Sequence, residues 1–300
     1  MDMTQNKCCR HGANLRRRRR RRRKILRSII FSCSIIAVAV FVAVGGSMIR
    51  SGDGRTNRYD VEAGNNTYDN AVIENSKISE KNKIQNNQSM LDDIMNSSQY
   101  PKQLKDLALK NEEALEFVYD YPAEHVKEHT IDLTEEASMD SVPLFVQWDK
   151  RWGYEKYSGN FFAASGCGPT TLSMVVVYLT HDREASPIAV AKYSKEAGYS
   201  VDGSGSSWTL ISEGCMHYGV KAKAVALDES RMKAELDEGH PIVVNVGPGD
   251  FTDTGHFMVI TGYDDEGFSI NDPNSIEKSG KRWLFKNISS QIRAVWSMYV

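Results

Sequence analysis

One cysteine stands where a helix begins, in the stretch Ser165-Gly166-Cys167-Gly168-Pro169. Proline is favoured in a first helical turn, and apolar residues then recur at helical spacing as far as Leu179. A helix N-terminus favours negative charge, so a thiol there loses its proton more easily and becomes a nucleophile. The flanking glycines, Gly166 above all, let another chain approach the sulfur closely. A small buried cysteine in a tight turn is an equally open interpretation.

A cysteine nucleophile also needs a general base, and the chain has seven histidines. His256 differs from the others because it follows a glycine-rich loop that ends at Gly255 and because it opens an apolar strand. This position holds an imidazole at the rim of a sheet, while the loop leaves room for a substrate. A histidine at a strand end is more often structural, so Cys167 is what makes His256 a candidate.

The base in turn needs a group that orients it. The turn Asp264–Gly267 predicts a hairpin that brings the end of the next strand, Asn271-Asp272-Pro273, close to His256. Asp272 can accept a hydrogen bond from the imidazole and select its tautomer. Asn271 competes for this role, and only one of the two can face the histidine because strand residues alternate between faces. An Asx turn before a proline is the simpler interpretation of the same residues.

The oxyanion of an acyl-transfer reaction needs hydrogen-bond donors. Gln147 carries a neutral amide directly after the apolar run 142–146. With the backbone N–H of Cys167, its side chain could form such a site. Residue type and position alone do not separate Gln147 from other polar residues.

The elements around these residues change in type along the chain, which predicts an α+β fold with helices first and an antiparallel sheet after them. The apolar spacing and turn residues predict helices at about 101–118 with a break near Asn111, from Cys167 to about Thr180, from Ser186-Pro187 to Gly198, from Trp208 to Gly219, and at 228–238. Strands are predicted at 241–246, 257–263 and 267–271, with further strands near 283–285 and 296–300.

The N-terminus is strongly basic. Residues 1–50 hold 13 of the 37 Lys and Arg side chains and one of the 39 Asp and Glu side chains. Residues 1–27 are predicted to be a cytoplasmic tail, because the uncharged run 28–49 is long enough to cross a membrane and the arginines precede it. The C-terminal bulk is then extracytoplasmic. A cleaved signal peptide is the alternative, although its apolar region is normally shorter.

Residues 50–100 are rich in Asn, Ser, Asp, Lys and Gly, and are predicted to form a disordered stalk. A globular domain follows at 101–300, with its motifs in 142–300. The remaining 24 basic and 38 acidic side chains give residues 51–300 a formal charge of −14, which excludes a basic face for nucleic acid. No cysteine spacing indicates a zinc site, so neither a metal nor a cofactor is expected.

Taken in order, Gln147, Cys167, His256 and Asp272 resemble the functional residues of the papain-fold cysteine peptidases, in particular the family of bacteriocin-processing (double-glycine) peptidases. The similar stretches, within about 142–275, are VPLFVQWDKRWGY, SGCGPTTLSMV, GSGSSW, GPGDFTDTGHFMVITGY and NDPNS. The resemblance implies a papain-like fold in which the four residues are the oxyanion donor, nucleophile, base and orienting acid. It also implies that Trp208 forms a wall of the cleft, for which a buried core tryptophan is the alternative.

The expected protein is therefore a single-pass membrane protein whose outer domain hydrolyses peptides or proteins, with Gly166, Trp208 and Gly255 beside the substrate. An amidase or transpeptidase of cell-wall peptides and a non-catalytic binding module are the alternatives. Cys215 is expected to be a buried thiol, and a disulfide with Cys167 is the less favoured possibility. The sequence indicates no oligomeric state.

Overall fold

The structure is a computed structural model that describes residues 66–300, with side chains from residue 79 onward. The chain divides into two units, Met1–Asp69 and Asn70–Val300, and every contact given below lies within the second. The predicted tail at 1–27 and the predicted membrane segment at 28–49 lie outside the described residues. Within residues 66–300, no helix combines the length and the apolar character that crossing a membrane requires.

Helices dominate the first half of the described chain, and a sheet forms most of the second. The helices are α1 (Asn66–Asn96), α2 (Lys102–Lys110), α3 (Leu115–Tyr119), α4 (Tyr121–Glu124), α5 (Thr134–Ser138), α6 (Phe162–Ser165), α7 (Cys167–Thr180), α8 (Pro187–Glu196), α9 (Thr209–Ser212), α10 (Glu229–Asp237), α11 (Ile276–Ser279) and α12 (Phe285–Ile288). The strands are β1 (Lys156–Tyr157), β2 (Asn160–Phe161), β3 (Ser200–Val201), β4 (Gly205–Ser206), β5 (Lys221–Ala224), β6 (Ile242–Val246), β7 (His256–Asp264), β8 (Gly267–Asn271), β9 (Arg282–Trp283) and β10 (Ile292–Tyr299). Short 3₁₀ turns cover Glu112–Ala114, Gly214–Tyr218 and Ser289–Gln291.

Six strands form one antiparallel sheet in the order β5-β10-β6-β7-β8-β9. The pairing of β6 with β7 sets Val246 opposite His256, and the hairpin of β7 and β8 sets Val259 opposite Asn271. His256 is therefore the first residue of an interior strand, at the end of the sheet where the neighbouring strand β8 finishes. The predicted order of helices followed by an antiparallel sheet is confirmed.

Apolar side chains cover both faces of this sheet. The first core cluster joins the buried length of α7 to one face, through Val243, Phe257 and Val259. The second cluster packs α10 and α12 on the other face, where Val244 and Met258 point. Because successive strand residues alternate between faces, β6 is buried along its whole length, as a strand between two layers must be.

The predicted disordered stalk covers residues 50–100, of which 50–65 lie outside the described residues. The structure corrects the prediction for residues 66–96, which form the single helix α1. Most of its described side chains are exposed, which agrees with the polar composition of the segment. Its last turns differ, since Met90, Leu91 and Ile94 lie on one helical face and pack on a third core cluster. Three apolar residues that look scattered in the sequence thus attach α1 to the domain.

The remaining helix predictions hold with small shifts of their boundaries. The break near Asn111 is confirmed, because α2 ends at Lys110 and Asn111 caps the 3₁₀ turn that follows. Ser186 caps α8, which ends at Glu196 rather than Gly198. The helix predicted from Trp208 is the short α9 followed by a 3₁₀ turn that closes at Gly219, where φ is +71°.

Candidate active site

Cys167 is the first residue of α7, and Gly166 precedes it as the N-cap residue. Gly166 is buried, and a Cβ atom there would lie 2.6 Å from Cε1 of Phe162, so a larger residue would displace the ring. The backbone N–H groups of Phe257 and Gly168 are donors that lower the pKa of the Cys167 thiol. One of these donors belongs to the N-terminus of the helix and the other to β7, so the thiol lies where helix and sheet meet.

His256 lies between the thiol and a carboxylate. Its Nε2 atom is 2.6 Å from Oδ1 of Asp272, and both side chains are buried. The imidazole also interacts with Cys167, since each of the two groups shifts the pKa of the other. Since Nε2 faces Asp272, Nδ1 is left to face the sulfur. The structure thus brings the three predicted residues into one chain of contacts, with the imidazole in the middle.

The electrostatics of the site favour a proton on the imidazole rather than on the thiol. Burial raises the pKa of Cys167, but the hydrogen bond and the charge of His256 outweigh it and leave the pKa of the thiol below its ordinary value. Burial lowers the pKa of His256, but the charge and the hydrogen bond of Asp272 outweigh it and raise the pKa to about 10. Both shifts stabilise a thiolate and imidazolium pair.

The structure separates the roles of two neighbours that the sequence left in competition. Asn271 ends β8 and turns away from His256, because its Nδ2 atom donates to the carbonyl oxygens of Val142 at 3.1 Å and Pro143 at 3.0 Å. Asp272 follows and faces the imidazole. Alternation along the strand therefore assigns the carboxylate to the histidine and the amide to the segment that leads to Gln147.

Gln147 is buried and contacts the residue that follows Asp272. Its backbone N–H donates to the carbonyl of Pro273 at 2.7 Å, and its Nε2 atom donates to the carbonyl of Ala163 at 2.7 Å. Ala163 lies in α6, the short helix before Cys167. One of the two N–H groups of Nε2 is therefore taken, and Oε1 is buried without a hydrogen-bond partner among the described residues. Gln147, the predicted oxyanion donor, therefore has a second Nε2 N–H group that does not bond to Ala163.

The other predicted contact residues are exposed at the surface. Trp208 is 48% exposed and meets Trp296 edge to face at 6.1 Å between ring centroids, so the alternative of a buried core tryptophan is wrong. Gly255 is exposed directly before His256. Cys215 is buried and is a free thiol, as is Cys167, and burial raises the pKa of Cys215 to about 11. The two thiols thus differ sharply in their tendency to ionise.

Thr171 is a residue of the site that sequence reasoning missed. Its Oγ1 atom donates to the carbonyl of Phe257 at 3.1 Å, which ties α7 to β7 one turn beyond Cys167 and one residue beyond His256. The helical spacing of four residues places Thr171 on the same face as Cys167, and a buried hydroxyl on that face needs an acceptor. That spacing is the signal that could have identified it.

Among residues 66–300, no group of three or more His, Cys, Asp and Glu side chains is arranged to hold a metal ion. The site is built from one thiol, one imidazole and one carboxylate, carried by a helix N-terminus and the edge of an antiparallel sheet. Fold and site define an α+β protein with a Cys-His-Asp constellation.

Comparison with known proteins places this architecture in a family. The sequence model of the "Peptidase_C39 like family" matches residues 139–300, more than half of the chain. The chain belongs to this family, which indicates a peptidase of the cysteine type. The match begins after α1 to α5, so these helices lie outside it.

Two solved structures are similar to the chain. The peptidase domain of Streptococcus ComA, a bifunctional ABC transporter of a quorum-sensing pathway, is 19% identical, with 53% of this chain and 96% of that chain covered and a TM-score of 0.39. A protein described as a C39-like peptidase from Bacillus anthracis is 16% identical, with 53% and 95% covered and a TM-score of 0.34. No curated protein matches the chain.

Proposed function

We propose that the protein is a cysteine peptidase in which Cys167 is the nucleophile, His256 the general acid and base, and Asp272 the group that orients the imidazole. The observation that carries this proposal is the 2.6 Å contact between His256 Nε2 and Asp272 Oδ1, since it leaves Nδ1 for the thiol whose pKa the imidazole lowers. A buried carboxylate in this position orients the imidazole and stabilises it when it becomes positively charged.

The first half of the reaction forms an acyl-enzyme. The Cys167 thiolate attacks the carbonyl carbon of a peptide bond, and the carbonyl electrons move onto the oxygen. The tetrahedral intermediate then collapses, the C–N bond breaks, and the proton of His256 Nδ1 passes to the leaving amine. The product of this step is a thioester on Cys167 and a neutral imidazole that Asp272 still holds by Nε2.

The second half of the reaction releases the acyl group. His256, now neutral, takes a proton from a water molecule as that water attacks the thioester carbon. The C–S bond breaks, the acid is released, and the thiolate and imidazolium pair returns. No net proton or electron is gained or lost over the cycle.

The oxyanion of both intermediates needs donors, and we assign them to the backbone N–H of Cys167 and the second N–H of Gln147 Nε2. Ala163 holds the first N–H of that amide, which limits the rotation of the Gln147 side chain. A donor fixed in advance costs no reorganisation when charge develops.

The test compares the wild type with Cys167→Ala and with Cys215→Ala as a matched control. Each protein is incubated with a library of unstructured peptides, and new peptide termini are measured by mass spectrometry. We expect Cys167→Ala to reduce cleavage by at least about 10³-fold and Cys215→Ala to retain it, since only the first thiol is paired with an imidazole. Undiminished cleavage by Cys167→Ala would overturn the proposal.

The same comparison separates the alternatives. Cleavage of purified wall peptides but not of unstructured peptides would make the enzyme an amidase or transpeptidase of the cell wall. If Cys167 reacts with iodoacetamide no faster than a free cysteine, the site lacks a stabilised thiolate and a binding module is favoured.

We also propose that residues 28–49 anchor the protein in the cell membrane, with the peptidase domain extracytoplasmic and acting on peptides or proteins there. The support is the uncharged run with arginines before it. Alkaline carbonate extraction should leave the full chain in the membrane, and protease added to intact cells should digest the domain. Recovery of a soluble chain that begins beyond residue 49 would identify a cleaved signal peptide instead.

A further inference from the structure

The segment between α2 and α3 contacts the turn that carries Asp272, although the two are about 160 positions apart in the chain. This segment lies outside residues 139–300, the range of the family match. Two of its residues, Asn111 and Glu113, reach across to the turn Asp272–Ser275.

Asn111 holds the turn through a backbone oxygen. Its Nδ2 atom donates to the carbonyl oxygen of Asn274 at 2.9 Å and to the side-chain oxygen of Asn274 at 3.1 Å. Trp148 donates from Nε1 to the same carbonyl at 3.1 Å. The Oδ1 atom of Asn111 meanwhile accepts the backbone N–H of Glu113 at 3.0 Å, so the asparagine is fixed at both ends of its amide.

Glu113 holds the other end of the turn. Its Oε1 atom accepts a hydrogen bond from the hydroxyl of Ser275, and its Oε2 atom accepts the backbone N–H groups of Ile276 at 2.7 Å and Glu277 at 3.0 Å. These amides begin α11 and have no partner within that helix. The N-cap residue Ser275 accepts the backbone N–H of Lys278 at 3.1 Å, so a carboxylate from a distant part of the chain completes the cap by taking the two amides before it.

The turn transmits this restraint to the orienting carboxylate. The backbone N–H of Asn274 donates to Oδ1 of Asp272 at 2.8 Å, which is the oxygen that His256 contacts. The backbone N–H of Asp272 donates to Oγ of Ser279 at 2.9 Å. The carbonyl oxygen of Asn274 is thus held by Asn111, while the backbone N–H of Asn274 holds the carboxylate of Asp272. A movement of the segment between α2 and α3 would therefore move that carboxylate.

We propose that Asn111 and Glu113 are positioning residues that hold Asp272 against His256 and so set the charge state of the catalytic pair. The inference rests on the proposed peptidase function. It predicts that these two residues, which precede the family domain, support catalysis without any contact to the substrate.

The expected effect on pH dependence has a definite sign. The groups that face His256 are Asp272, which favours its protonated form, and Cys167, whose thiolate does the same. If Asp272 moves away, the pKa of His256 falls and the thiolate loses its partner. The alkaline limb of the pH profile of kcat/KM therefore moves to lower pH, and the acid limb moves to higher pH.

The experiment uses the full chain with Glu113→Ala, Glu113→Gln and Asn111→Asp, and with Glu112→Ala as the matched control. Glu112 is the preceding acidic residue, is exposed, and contacts Asn87 instead of the turn. Asn111→Asp keeps the oxygen that accepts the Glu113 N–H but loses the donor to Asn274. Thermal unfolding of each variant identifies any that fail to fold. If Glu113→Ala fails, Glu113→Gln replaces it, because glutamine keeps the size of the side chain and one oxygen that accepts hydrogen bonds.

Two measurements are made on each folded variant: peptide cleavage against pH, and the rate at which iodoacetamide alkylates Cys167 against pH. We expect Glu113→Ala and Asn111→Asp to lower kcat about ten-fold while KM changes less than about two-fold. The pH range of high kcat/KM should become narrower in both variants, and the pH at which iodoacetamide begins to alkylate Cys167 should rise. The kcat and the alkylation profile of Glu113→Gln should lie between those of Glu113→Ala and the wild type. Glu112→Ala should match the wild type in both measurements.

Unchanged alkylation profiles in folded Glu113→Ala and Asn111→Asp would overturn the proposal. A loss of activity that Glu112→Ala shares would do the same, since it would show a general effect of the segment. If the wild type cleaves no peptide at all, the proposed function fails, but the alkylation profile still decides whether the segment sets the state of Cys167.

Discussion

The carboxylate of Asp272 determines which form the imidazole of His256 takes. It is fully buried, and Oδ1 contacts both His256 Nε2 at 2.6 Å and the backbone N–H of Asn274 at 2.8 Å. A charge in such a position is favourable only when an opposite charge faces it. In the proposed catalytic pair the imidazolium supplies that charge, and the proton on its other nitrogen is the one donated to the leaving amine.

Substitution Asp272→Asn should therefore change the pH dependence as well as the rate. The amide keeps the size of the side chain but removes the charge that raises the pKa of His256 to about 10, so the pKa falls toward its ordinary value of about 6.5. We expect cleavage at neutral pH to fall by at least about ten-fold and the alkaline limb of kcat/KM to move down in pH. The measurement is a pH-rate profile.

The control for this substitution is Asp264→Asn. Asp264 lies at the end of β7 opposite to His256 and does not contact it. Its carboxylate is paired with the exposed side chain of Arg282 at 2.7 Å. A pH profile that shifts equally in both variants would show that net charge, rather than the contact with the imidazole, is responsible.

At the scale of the elements, the site depends on how firmly helices are held to the sheet. Glu235 of α10 provides one such attachment on the face away from Cys167. It accepts hydrogen bonds from Lys223 of β5 at 2.7 Å and Ser297 of β10 at 2.8 Å, and it lies 3.2 Å from His240 Nδ1. The hydrogen bond of Lys223, helped by those of Ser297 and His240, lowers the pKa of Glu235 to about 2.

Glu235→Gln should lower the stability of the protein in a pH-dependent way. The pKa in the folded state lies below the unfolded value of 4.5, so the contribution of this carboxylate is fully present above pH 4.5 and is lost as pH falls through about 2. Allowing for solvent screening, we expect a loss of about 1 kcal/mol at neutral pH, or about 2–4 °C in Tm. Thermal unfolding at several pH values measures it.

Glu229→Gln is the matched control for Glu235→Gln, because Glu229 lies on the same helix and pairs with Lys233, one turn along. Its effect on Tm should be small. A Tm difference between wild type and Glu235→Gln that persists unchanged down to about pH 2 would contradict the role given to the carboxylate.

The elements that carry the site were predictable because their signals are local. Pro169 and the apolar spacing after it indicate the helix of Cys167, and the turn after Asp264 indicates the hairpin that brings Asp272 to His256. The strand pattern alone did not decide between Asn271 and Asp272, since the choice depends on which strand face meets the imidazole, and only the family resemblance favoured Asp272. The contacts of Asn111 and Glu113 were not predictable either, because a hydrogen bond between residues about 160 positions apart leaves no periodic pattern.

At the scale of the whole molecule, the helices before the family domain are joined to it by a core of their own. Ile94 of α1 is fully buried in the third cluster, together with Leu104 and Phe117. The same cluster includes Phe161 and Ala163, which lie just before Cys167. The described domain therefore extends well before residue 139, where the family match begins.

Ile94→Ala tests this attachment, with Ile84→Ala as its control on the same helix. Removal of a fully buried isoleucine side chain should cost about 2 to 5 kcal/mol and lower Tm by several degrees. Ile84 is 62% exposed, so its loss should change stability by less than about 0.5 kcal/mol. Equal Tm values for wild type and Ile94→Ala would show that α1 does not pack on the domain.

The central claim is that His256 and Asp272 hold Cys167 as a thiolate. The most direct test is the ultraviolet absorbance of the thiolate, titrated against pH as the difference between wild type and Cys167→Ala. We predict that the difference signal persists well below the ordinary thiol pKa of about 8.5 and that His256→Ala raises its midpoint. A midpoint at or above that ordinary value in the wild type would contradict the account.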